Sequence, residues 1–107
     1  MTKIFILLLA ISLHAETGLA AWYKVSGKLT YSGIIQKKGA LVAAHKSLPM
    51  GTKVHIKNND NQKEVVVIIV DRLPKNSKFM IDLSKDAAKV IDIITSGIAK
   101  VTLTKVP

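Results

Sequence analysis

Polar and apolar residues alternate over much of the chain, and the alternation predicts strands. Lys53-Val54-His55-Ile56-Lys57 has period two, the signature of a strand with one face buried. Asn58-Asn59-Asp60-Asn61 follows, four residues that tolerate turn backbone and bond to it through their own side chains. From Glu64 to Val70 every residue after the first is β-branched, which reads as a strand buried on both faces. The two segments make a hairpin. Ala40 to Ala44 is a shorter apolar run, closed by the turn Leu48-Pro49-Met50-Gly51. Ser84 is placed to cap a helix over 84–95, with Asp86 in its first turn, Ala87, Val90, Ile91 and Ile94 on its apolar face, and Gly97 at its stop. Ile98 to Val106 alternates again and ends the pattern as a strand. Short strands, one helix and no internal repeat predict a mainly β protein, a small barrel with an accessory helix.

The N-terminal segment breaks this pattern. Met1-Thr2-Lys3 is a short positive lead, and Ile4 to Leu13 is an apolar run of ten interrupted only by Ser12. Such a run is about half of what a bilayer span requires. It fits an export signal, residues 1–15, with cleavage after Ala15 and Ala20 as the second choice. Residues 16–107 are then one barrel domain, exported to the periplasm or beyond. No cysteine follows the apolar run, so no lipid anchor is expected and the released protein should be soluble.

Composition narrows the function classes. A chain of 107 residues supports one domain and can bury a single core without staples. With no cysteine, disulfide scaffolds, thiolate metal sites and cysteine nucleophiles are all excluded. The net charge is +9, and residues 16–107 retain 15 Lys+Arg against 7 Asp+Glu. Of those basic residues only Arg72 is an arginine, and the lysines are dispersed. Nucleic-acid readers depend on the bidentate geometry of arginine, so that class is disfavoured. A solvated surface explains the lysines, and weak attraction to an acidic envelope polymer is the sharper alternative.

Few residues could carry chemistry. His55 alternates onto the solvent side of its strand. His45 ends an apolar run just before a Pro-Gly turn, where it is either a hydrogen-bonded structural group or an active one. Asp71 lies at the end of a buried strand, where desolvation raises a carboxyl pKa, but Asp before Leu73-Pro74 also suits a turn. Asp82 precedes the helix and reads as a cap. No metal-ligand spacing, phosphate loop or catalytic triad stands out, and no cofactor is implied.

The segment Ala43-Ala44-His45-Lys46-Ser47-Leu48-Pro49-Met50-Gly51-Thr52-Lys53-Val54 resembles the hallmark of the rare lipoprotein A-like barrels. Ala21-Trp22-Tyr23, Val70-Asp71-Arg72-Leu73-Pro74, Ile81-Asp82-Leu83-Ser84 and Ser96-Gly97-Ile98-Ala99-Lys100-Val101 resemble further motifs of that family, in family order. The resemblance implies a six-stranded double-psi β-barrel related to expansins. It also implies lytic transglycosylase activity on peptidoglycan glycan strands, preferentially peptide-poor ones; separately, the protein is expected to be a monomer. His45 and Asp71 correspond to the family's active-site pair and are expected to share one groove. In that chemistry a single carboxylic acid with a raised pKa can protonate the leaving oxygen and then take the proton of the sugar's own C6 hydroxyl. Asp71 is assigned that work, with His45 orienting it. Trp22, Tyr23, Tyr31 and Ser32 are the candidate substrate contacts, Trp22 being equally suited to the core.

The chain departs from the family pattern in the groove. Thr30-Tyr31-Ser32-Gly33-Ile34 stands where the family has a segment ending in Glu, so Ile34 replaces an acid. An Asp common in relatives falls at Lys37. A second function therefore stays open, a non-catalytic, expansin-like module that binds glycan.

Overall fold

The computed structural model describes residues 15–23 and 39–107. The expected export signal lies outside these apart from Ala15, and so do Tyr31, Ser32, Ile34 and Lys37. Six strands form: β1 (Ala15–Tyr23), β2 (Val42–His45), β3 (Lys53–Asn58), β4 (Glu64–Arg72), β5 (Ile81–Ser84) and β6 (Ile98–Lys105). One helix, α1 (Lys85–Val90), follows β5 directly. The strands close into a barrel in the order β1-β5-β2-β4-β3-β6. Two pairs, β1–β5 and β2–β4, are parallel and all others are antiparallel. This is a double-psi barrel, as the sequence resemblance implied.

Alternation fills the barrel. Val54 and Ile56 of β3, Val65, Val67 and Ile69 of β4, and Val101 and Leu103 of β6 point inward and join one core with Ile81 and Leu83. Closure leaves no sheet edge exposed between these strands, which removes the usual route to edge-to-edge aggregation.

Two expectations are corrected. β4 is not buried on both faces: Val66 and Ile68 are 45% and 38% exposed. Their β-branching serves the extended backbone rather than burial. The helix is also shorter than 84–95. The side-chain amides of Asn58 and Asn61 both donate to the Ile91 carbonyl, at 3.0 and 3.1 Å, and Asp92 then takes left-handed backbone with φ 61°. The hairpin turn thus captures the last carbonyl and stops the helix. Ile91 and Ile93 are buried beyond that stop, whereas Val90 is exposed.

Ser84 caps α1 as expected and does more besides. Its Oγ accepts from the Ala87 N–H and the Val42 N–H, each at 3.3 Å, and donates to the Ala40 carbonyl at 2.7 Å. One buried hydroxyl thereby fixes the start of the helix to the approach of β2. Asp82 is not the cap: that role falls to Ser84, two residues further on.

Candidate active site

The register places the candidate residues. In the middle of the β1–β5–β2–β4 sheet, Ala21 pairs with Asp82, Asp82 with Ala44, and Ala44 with Asp71. Four strands thus present one transverse row, and paired residues share a face. The row exists because the β2–β4 register slips once. Ala43 pairs with Ile69 but Ala44 pairs with Asp71, leaving Val70 as an extra residue. Ile69 faces the core. By strict alternation Asp71 would face it too, and the bulge turns Asp71 onto the side of Ala44 and Asp82 instead.

The electrostatics follow that row. Burial, reinforced by the charge of Asp71, pushes the Asp82 carboxyl up to about 6. Burial also raises the Tyr23 phenol, with Asp82 and Asp71 adding to it. Tyr23 pairs with Ser84, two residues beyond the Ala21–Asp82 pair and on the same face. Its hydroxyl is buried and has no hydrogen-bond partner among the described residues. Trp22, between them in β1, turns the other way and packs against the core. Asp71 Oδ1 accepts from the Arg72 N–H at 2.9 Å, which holds that carboxylate close to its own backbone.

His45 belongs to a neighbouring cluster. The backbone N–H groups of Ser47 and Leu48 both donate to its Nδ1 at 3.1 Å. Two donors on Nδ1 leave the ring proton on Nε2, which lies 3.4 Å from Glu16 Oε1. His45 is 3% exposed, and burial lowers its pKa below the ordinary value, opposed by Glu16 and assisted by Arg72 and Lys46. Arg72 Nη1 donates to the carbonyls of His45 and Leu48, at 3.1 and 2.8 Å, and the Leu73 N–H donates to His45 as well. The turn 45–48 is therefore held from inside by the imidazole and across β4 by the guanidinium. His45 pairs in register with Arg72, and Asp71 with Ala44. Adjacent strand positions face opposite ways, so the expected His45/Asp71 pairing is resolved into two groups: Asp71 with Asp82 and Tyr23, and His45 with Arg72 and Glu16.

Asp82 is the residue that sequence reasoning passed over. Its position just before a helix suggested a cap, and the signal that could have found it was the strand pattern of Ile81-Asp82-Leu83. Two buried apolar residues flank one carboxylate there, which alternation places on the outer face. Among the described residues, no group of His, Asp and Glu has the arrangement of a metal centre.

Residues 15–103 match the family described as lytic transglycolase. A Campylobacter jejuni protein named endolytic peptidoglycan transglycosylase RlpA is 46% identical over 88 residues, covering 80% of this chain and 32% of that protein. A Treponema pallidum protein named probable endolytic peptidoglycan transglycosylase RlpA is 43% identical over 90 residues, covering 82% of this chain and 28% of its own length. The chain thus spans about a third of the length of the curated relatives it matches. Among solved structures, an expansin of Clavibacter michiganensis superposes with a TM-score of 0.73 at 17% identity, over 88% of this chain and 51% of that one. A Streptomyces papain inhibitor superposes with a TM-score of 0.66 at 22% identity, over 88% of this chain and 96% of its own. These two likenesses establish the barrel fold.

Proposed function

The chain belongs to the lytic transglycolase family, and on that footing we propose that it cleaves peptidoglycan glycan strands by transglycosylation, leaving 1,6-anhydromuramic ends. The observation that carries the proposal is the row that sets Asp71 and Asp82 on one face, one on each side of Ala44, with burial holding the Asp82 carboxyl up to about 6. A carboxyl in that range is both a usable acid and a usable base near neutrality.

The step balances without water. Protonated Asp82 gives its proton to the glycosidic oxygen between N-acetylmuramic acid and N-acetylglucosamine, and the bond from C1 to that oxygen breaks. The C6 hydroxyl of the same muramic residue attacks C1 and closes the anhydro ring. Its proton passes to the carboxylate and restores the acid. The sequence reading gave this work to Asp71; here Asp82 holds the proton, and burial together with the charge of Asp71 strengthens its hold. His45 is a positioning residue in this proposal, bracing the 45–48 turn against Arg72, the neighbour of Asp71. Peptide-poor strands are the proposed substrate, and the proposed setting is the cell envelope after export of a soluble monomer. No helix among the described residues is long and apolar enough to cross a membrane.

The competing reading, a glycan-binding module without catalysis, draws on Ile34 standing where the family has an acid. One experiment separates the two. Purified glycan strands are incubated with the protein and their ends determined by mass analysis. Anhydro ends are expected, and they should fall by about 10²- to 10⁴-fold in Asp82→Asn and in Asp71→Asn. A wild-type protein that pellets with insoluble peptidoglycan yet forms no anhydro ends overturns the enzyme reading. Gain of activity in Ile34→Glu would then identify a disarmed enzyme.

A further inference from the structure

The row that carries Asp82 and Asp71 does not end at Ala21. Along its other edge β1 pairs with β6, and there Ala21 meets Ile98. The row therefore runs Ile98, Ala21, Asp82, Ala44, Asp71 across five strands. Ala20 and Ala99, one step away on β1 and β6, join the core, so Ile98 and Ala21 face outward with the carboxyls. Ile98 is 47% exposed. A lone exposed isoleucine is ordinary, but this one stands in line with the reacting groups. Lys100 follows two positions on, along the same face of β6, exposed and without an ion pair among the described residues. Its partner on β1 is the half-buried Leu19. The face thus ends in an apolar surface of Ile98, Ala21 and Leu19 with one cation beside it, and the mechanism uses neither.

Spacing and chemistry select the occupant. Neighbouring strands lie about 4.8 Å apart, so Ile98 is about 10 Å across the sheet from Asp82, the reach of two linked pyranose rings. Asp82 marks the cleaved bond. On the leaving side of that bond the first ring is N-acetylglucosamine and the second is N-acetylmuramic acid, because the two sugars alternate. Muramic acid bears an acetamide on C2 and a lactyl ether on C3. The acetamide ends in a methyl group. The lactyl group ends in an amide while a stem peptide is attached, and in a carboxylate once that amide has been hydrolysed. Ile98 and Lys100 are about 7 Å apart along the strand, which suits substituents on neighbouring ring carbons. Isoleucine gains by covering the methyl, and the ammonium pairs with the carboxylate but not with the amide.

We propose that Ile98 and Lys100 bind the second sugar on the leaving side, Ile98 packing on its acetamido methyl and Lys100 pairing with its free lactyl carboxylate. Lys100 is then the residue that selects peptide-free strands. An amide hydrolysis that strips the stem peptide is the class of reaction that must supply this substrate. The inference rests on the glycan reading of the site and adds to it the group that is recognised.

Lys100→Gln tests it on the full chain, with two glycan preparations. One consists of strands freed of stem peptides by amide hydrolysis, the other of the same strands with their lactyl carboxylates converted to methylamides. The wild type should cleave the carboxylate strands with a kcat/KM higher by about three- to tenfold, the worth of one charge-assisted contact at a surface. Lys100→Gln should lose that preference by slowing on the carboxylate strands alone, whereas Lys105→Gln, at the far end of β6, should keep it. Ile98→Ser should slow both preparations alike, since the methyl is common to them. A wild type without the preference overturns the proposal, and so does a Lys100→Gln variant that keeps it or a Lys105→Gln variant that loses it. An Ile98→Ser variant within twofold of the wild type on both preparations overturns the apolar contact. Should the wild type form no anhydro ends, the transglycosylase reading fails by itself, and the same two preparations are compared by binding. A preference for carboxylate strands that Lys100→Gln abolishes then upholds the subsite, and any other result overturns it.

Discussion

On the side of the barrel built by β3, β6 and the first half of β4, every ladder is antiparallel and the alternation runs without interruption. On the side built by β1, β5, β2 and the end of β4, two of the three ladders are parallel, and the register slips between Ala43 and Ala44. Both sides bury the same kinds of aliphatic residue. They differ in what they place outside. The regular side shows water Lys53, Val66 and Ile68, and the irregular side half-buries Asp71 and Asp82 on one face, with Ala44 between them. Asp82 so placed opposes folding at neutral pH, since burial and the charge of Asp71 both disfavour its ionisation. A barrel held by its regular half tolerates a strained, proton-holding half.

The largest expected effect sharpens that contrast through activity. Asp82→Asn should lower formation of anhydro ends by about 10²- to 10⁴-fold. His55→Gln, on the regular side, should leave the rate within a factor of two. Product ends counted by mass analysis give both numbers. Equal losses in the two variants would mean that the carboxyl pair is not the reacting centre.

Next comes the core, where the regular side should dominate stability. Ile56 is fully buried in β3, and Ile56→Ala should destabilise the barrel by about 2–5 kcal/mol through lost burial and a residual cavity. Denaturant unfolding measures it. A loss below about 1 kcal/mol would show that β3 contributes less than its packing indicates.

The same carboxyl that serves catalysis should reveal its strain by titration. In the folded state Asp82 is raised from 3.8 to about 6, so the native protein binds a proton more tightly than the unfolded chain does. Stability linked to this group is complete below about pH 4 and is lost as pH rises through about 6. Asp82→Asn removes the ionisation. At pH 8 the variant should therefore be more stable than the wild type by roughly 2–3 kcal/mol, and the difference should vanish near pH 4. A variant less stable at pH 8 would show that the ionised carboxylate makes a contact worth more than its desolvation.

The same division decides what could be read from sequence. The β3–β4 hairpin, the strand at the end of the chain and the Ser84 cap were legible because each depends on neighbours within a few residues. The helix was read too long because Ile91 and Ile94 continue its apolar spacing. What stops it is the side chains of Asn58 and Asn61, some thirty residues away. Val66 and Ile68 were read as buried because β-branching reports extended backbone as well as burial. The family motifs led to His45 and Asp71, but the grouping of Asp71 with Asp82 and Tyr23 depends on non-local ladders and one bulge residue, which no local pattern encodes.

The smallest expected effect belongs to the outer surface of the regular side. His55 Nε2 and Glu64 Oε1 are in contact across the β3–β4 hairpin, with side chains 33% and 54% exposed. At that exposure water and salt screen the pair, and ordering two side chains offsets much of its attraction. A double-mutant cycle with His55→Gln and Glu64→Gln should give a coupling of about 0.2–1 kcal/mol. At 1 M salt, where the screening length is about 3 Å, the coupling should shrink further. A coupling above about 2 kcal/mol that survives salt would undo the contrast, because the regular side would then depend on charge as the carboxyl side does. A small, salt-sensitive value would leave its stability to the ladder and to the aliphatic residues behind it.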